Sequence, residues 1–66
     1  MDQLAVDVRA RRRQLGLSQQ ELADLAGTSE RFVRALEAGK PTVRLDKASA
    51  VLGVLGLELR AVPRKT

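Results

Sequence analysis

The sequence predicts an all-α domain of four to five short helices, followed by a short C-terminal β-strand that pairs across a homodimer. Three observations carry this reading. Apolar residues recur at helical spacing in four separate stretches. A glycine follows each stretch, at Gly16, Gly27, Gly39 and Gly56, where a left-handed C-terminal cap favours that residue. After Gly56 the hydrophobic period shifts to two, which marks a strand.

The first helix runs from Leu4 to Leu15, with Leu4, Ala5, Val8 and Leu15 as its apolar positions and Arg9, Arg11, Arg12 and Arg13 on its other faces. Ser18-Gln19-Gln20-Glu21 is a capping box, in which the Ser18 hydroxyl and the Glu21 carboxylate each accept from the other's backbone amide. Leu17 and Leu22 flank it as a hydrophobic staple, and Leu22, Ala23 and Ala26 form one face of a short second helix. Ser29 caps the third helix, with Glu30 in the first turn where the helix dipole favours an acid. Val33 and Leu36 face inward, and Lys40-Pro41 forces an extended exit. Leu45, Ala48, Val51, Leu52 and Leu55 define the fourth helix, which starts near Thr42 or Arg44. Gly53 inside it costs about 1 kcal/mol against alanine, which points to a close backbone approach.

From Leu57 to Val62 apolar and polar residues alternate until Pro63 ends the run. A lone strand leaves its backbone groups unpaired. The chain offers no second strand, so the same segment of another copy is the partner, through Leu57, Leu59, Ala61 and Val62. The alternative for these residues is a frayed tail.

The chain of 66 residues reads as a single domain, 1–66, with 57–62 as the dimerisation strand. So small a domain buries only about 60% of its unfolded surface and usually needs a staple or a partner. There is no cysteine for a disulfide or thiolate metal site, and no histidine to act as general base or zinc ligand. With no phosphate-binding loop and too small a core for a pocket, an enzyme is not expected, and no cofactor or metal is implied. The net charge of +4 fits a nucleic-acid partner or plain solubilising charge. No apolar run reaches the ~18 residues of a membrane span, and Met1-Asp2-Gln3 does not begin a signal peptide, so a cytoplasmic location is expected.

The second and third helices, joined through Gly27-Thr28-Ser29, form a helix-turn-helix. The tight turn holds the third helix steeply, so that its N-terminal half projects into a DNA major groove while its inner face stays packed. Ala23 and Gly27 supply the small residues where the helices cross.

The run from Leu17 to Ala23, then Ala26-Gly27-Thr28-Ser29, Val33 and Leu36-Glu37-Ala38-Gly39-Lys40, resembles the Xre and phage-repressor helix-turn-helix family, over about Leu4 to Leu55. Residues 41–47 and 55–60 resemble, more narrowly, HipB-like antitoxins, in which a C-terminal strand pairs between two subunits. The resemblance implies a repressor that acts as the antitoxin of a HipBA-like type II toxin–antitoxin pair and autoregulates its operon. It also implies a HipA-like serine/threonine kinase toxin as partner. Two alternatives stay open: a stand-alone Xre-type repressor, and a protein-interaction module that inhibits a partner kinase without binding DNA. As a homodimer, the protein would place its two reading helices in successive major grooves of a pseudo-palindromic operator.

The resemblance implies a phosphate contact for Gln19, which the N-terminus of the second helix also favours. It implies a partly buried structural ion pair between Arg12 and Glu37. Gln20 is expected on a phosphate or a base, and Thr28, Ser29 and Lys40 on the backbone. Arg31 and Arg34, spaced i, i+3 and read as pointing the same way, are the expected base readers, because a guanidinium bonds guanine O6 and N7 together. Glu30 accepts from a cytosine amine or serves only as the first-turn acid, and Phe32 packs on the core or meets a thymine methyl. Arg9, Arg11 and Arg13 are left to face phosphate or water, with water the reading for Arg9.

Overall fold

A computed structural model describes residues 3–59. They form four helices: α1 (Gln3–Gln14), α2 (Gln19–Ala26), α3 (Glu30–Glu37) and α4 (Leu45–Val54). No fifth helix and no strand occurs among the described residues. None of these helices is long and apolar enough to cross a membrane.

Local signals fix where α2 and α3 begin. The Ser18 hydroxyl accepts from the Glu21 amide at 3.0 Å, and Glu21 Oε1 accepts from the Ser18 amide at 2.8 Å, which completes the capping box. The Ser18 backbone and side-chain bonds hold the Glu21 carboxyl below its ordinary range. Ser29 caps α3 by accepting from the Phe32 amide at 3.1 Å. The start of α4 is weaker: Arg44 occupies its cap position and makes no side-chain capping bond.

All four helices stop in the same way. At the end of α2, Gly27 takes φ +69°, which a side chain would strain. Its amide bonds to Asp24 O and the Thr28 amide to Ala23 O, the paired bonds of a Schellman motif. Gly16, Gly39 and Gly56 repeat this geometry with positive φ. At the ends of α1 and α4, the residue after the glycine, Leu17 or Leu57, folds back against the core.

α2 lies at the centre, packed against α3 and α4, while α1 packs on α3. Val8, Leu22, Ala23, Val33, Leu36, Val51, Leu52 and Leu55 make one continuous core. Two expected apolar positions are exposed instead. α1 ends at Gln14, one residue short, and Leu15 falls in the capping turn at 44% exposure. Leu45 is 67% exposed, because Val43, in the loop before it, is the residue of that segment that packs on the core.

Gly53 also departs from expectation. It is exposed, and a Cβ placed on it meets nothing within 4 Å, so no close approach explains it. Gly53→Ala should therefore stabilise the domain by about 1 kcal/mol, raising the midpoint of a thermal melt by about 4–8 °C. An unchanged or lower midpoint would show that the helix is strained at this position.

Candidate nucleic-acid interface

The α2–turn–α3 unit rests on a polar buttress beneath α3. Among the described residues, Glu37 is the one charged residue buried with the core. Arg12 grips it with two bonds, Nε to Oε2 at 2.7 Å and Nη2 to Oε1 at 3.0 Å. The remaining Arg12 nitrogen donates to the Leu17 carbonyl at 2.9 Å, tying the α1–α2 turn to the same pair. The hydrogen bond to Glu37 raises the guanidinium pKa above its ordinary value, so Arg12 stays charged. Gln19 Nε2 adds a bond to Glu37 Oε1 at 3.3 Å. One carboxylate thus joins α1, the start of α2 and the end of α3.

Gln19 is half-buried, with its amide nitrogen directed to Glu37. Gln20 is exposed, and its side chain bonds Asp24 Oδ1 at 2.8 Å, one turn along α2. Ser29 is exposed, with its oxygen accepting the α3 capping bond. Thr28 is turned the other way. Its Oγ1 is buried without a hydrogen-bond partner among the described residues, and its amide is taken by the Schellman bond. The inward rotation of the turn residue therefore withdraws both of its donors from the surface where a phosphate contact was expected.

On α3, Arg34 Nη2 pairs with Glu30 Oε2 at 3.1 Å, so Glu30 serves as a side-chain partner within the helix. Arg31 is exposed, with no partner among the described residues. The two arginines do not point the same way. Arg31 lines a groove toward the α3–α4 loop, with Phe32, Lys40, Arg44 and Lys47. Arg34 lines a cleft toward α1, with Arg9, Arg13 and Gln19. Three residues of helix turn the direction by about 60° from alignment, and Glu30 draws Arg34 further. Phe32 is half-buried against the core, as the core reading has it.

Arg44 and Lys47 were not expected as site residues. Arg44 bonds Asp46 through Nη2 at 2.8 Å and Nε at 3.1 Å, and this bond holds the Asp46 carboxyl below its usual range. Their sequence signal, three cations in the eight residues 40–47, was present in Lys40, Arg44 and Lys47 but was read only at Lys40. In α1, Arg11 is not free to face phosphate. Its Nε donates to the Leu55 carbonyl at 2.9 Å, which caps the end of α4.

Of the expected dimerisation residues, Leu57 is half-buried and its amide bonds the Leu52 carbonyl at 2.9 Å, completing the end of α4. Leu59 is 50% exposed. Ala61 and Val62 lie outside the described residues.

The family model described as helix-turn-helix matches residues 8–62 of this sequence. The chain is also 46% identical, over 52 residues, to a protein named uncharacterized HTH-type transcriptional regulator y4mF, from Sinorhizobium fredii (strain NBRC 101917 / NGR234). That alignment covers 79% of this chain and 68% of the relative.

Proposed function

The chain belongs to the Xre-type helix-turn-helix family, and we propose that it is a sequence-specific DNA-binding transcriptional repressor, not an enzyme. The observation that carries this is the divided surface of α3. Arg31 stands exposed on it with no partner among the described residues, while the opposite face, Val33 and Leu36, is fully packed. A helix held that rigidly, with donors on its outer side and cations on both flanks, has the form of a reading helix between two phosphate strands. The name of the Sinorhizobium fredii relative supports a regulatory role. In this reading Arg31 contacts bases, and Arg34, on the other flank of α3, contacts the backbone. Gln19, Gln20, Ser29 and Lys40 contact the backbone, Gln19 through the N-terminus of α2 as well as its side chain. Thr28 leaves the set, because its hydroxyl is buried.

The finer reading is an antitoxin of a HipBA-like pair that binds a HipA-like serine/threonine kinase, represses its own operon, and works in the cytoplasm as a homodimer on a pseudo-palindromic site. The likeness of residues 41–47 and 55–60 to HipB-like antitoxins supports it. The dimer forms through the alternating segment that ends at Val62. Since Leu57 serves the α4 cap, pairing begins after it.

A mobility-shift titration on DNA from upstream of the chain's own gene tests the function: a discrete complex that survives excess random duplex is expected, and failure to form one removes the reading. Deletion of residues 59–66 spares the α4 cap and should give a monomer by light scattering. A dimer of unchanged mass would exclude strand pairing. Co-purification of a kinase encoded beside this gene separates the antitoxin from a stand-alone repressor.

A further inference from the structure

The four arginines of α1 divide by what holds them. Arg11 bonds the α4 carbonyl end and Arg12 bonds Glu37 and Leu17. Arg9 and Arg13 are exposed and have no partner among the described residues. They stand at i, i+4, where like charges repel each other and cost the helix stability. Arg13 lies in the last turn, where the helix dipole offsets that cost. Arg9 lies a turn earlier, beyond the reach of that effect, and no acidic partner among the described residues offsets it.

Both side chains line one cleft of about 410 Å³ between α1, α2 and α3, together with Arg12, Gln19, Arg34 and Glu37. Glu37 is the one acid in that lining, and Arg12 already engages both of its oxygens. Arg34 spends only an exposed surface pair on Glu30, which is readily exchanged for a stronger anion. Three guanidinium groups therefore line this cleft, of which Arg9 and Arg13 have no anionic partner among the described residues and Arg34 has only the exposed Glu30.

We propose that Arg9 and Arg13, with Arg34, receive a backbone phosphodiester of the bound DNA in this cleft. Guanidinium forks match phosphate oxygens in charge and geometry. The placement favours DNA over an acidic protein surface. Arg34 belongs to the reading helix, and the cleft lies on the flank of α3 opposite the groove of Arg31 and Lys40. A major groove has a phosphate strand on each side, so a helix seated in it meets anions on both flanks. Such a contact fixes how deeply and at what angle α3 enters, without reading sequence. The proposal rests on the DNA-binding reading above.

The test is a salt titration of DNA binding by Arg9→Gln/Arg13→Gln, on the upstream duplex and on a random duplex of equal length. Loss of one phosphate contact should flatten the slope of log affinity against log salt by about 0.9. Affinity should fall by the same factor on both duplexes, with helicity by circular dichroism unchanged. Arg11→Gln is the control: it should lower the melting temperature and leave the slope alone. Unchanged affinity and slope in the double variant would overturn the proposal and leave the cleft to an acidic protein surface. Loss on the upstream duplex alone would also overturn it, by making these arginines base readers. If the unmodified protein retains neither duplex at low salt, the DNA-binding reading itself fails, and the proposal with it.

Discussion

Glu37→Ala is expected to remove a large share of the domain's stability at 25 °C. A chain of 66 residues has a total stability of only about 3–10 kcal/mol at the usual range per residue. Removing one partner of a buried ion pair costs about 3–5 kcal/mol, because the remaining charge keeps its desolvation penalty and loses its compensation. The side chains of Arg12 and Glu37 are 11% and 4% exposed, so the penalty applies nearly in full. The loss also spreads, since Gln19 gives up its acceptor. Urea denaturation with helicity as the readout checks this, and a loss below about 1 kcal/mol would mean that the stranded guanidinium reaches water.

The same argument sets the expected result for Arg12→Met/Glu37→Leu. Replacing a buried pair by apolar residues of similar size is often neutral. Here Arg12 also satisfies the Leu17 carbonyl, and that bond has no apolar substitute. The double variant should therefore recover most, but not all, of the stability lost by Glu37→Ala. Full recovery would show that the Leu17 carbonyl finds another partner.

What the sequence reveals in this molecule follows the distance over which each residue acts. The caps at Ser18 and Ser29 and the four glycine stops are bonds between residues a few positions apart, so their residue types announce them. Leu15 and Leu45 fit their helical spacings, but burial is decided by what packs opposite, and a capping turn and Val43 settle it. Arg11 acts across 44 residues on a carbonyl of the α4 end, and no local pattern marks it. The Arg12–Glu37 pair spans 25 residues and was readable only through the likeness to a known family. In the site, residue types on α3 were legible, but their directions were not. Equal spacing placed Arg31 and Arg34 together, whereas Glu30 and the helical rotation send them to opposite flanks.

That divergence singles out Arg31 for the largest effect on specificity. Arg34 carries a partner in the free protein and borders a cleft suited to phosphate, so its loss should weaken binding to any duplex. Arg31 carries none among the described residues and leaves an exposed fork for a guanine edge. A bidentate contact of that kind contributes about 1–3 kcal/mol of discrimination, a factor of roughly 5–150. Arg31→Ala should reduce the preference for the cognate duplex over random DNA by that factor. Arg31→Lys is the sharper variant, because it keeps the charge and removes the fork. It should hold the salt slope and the random-duplex affinity close to the original while losing most of the preference. Equal loss on both duplexes would instead place Arg31 on the phosphate backbone. The reading of sequence would then have to come from Glu30 or Arg34, which the free protein keeps paired with each other.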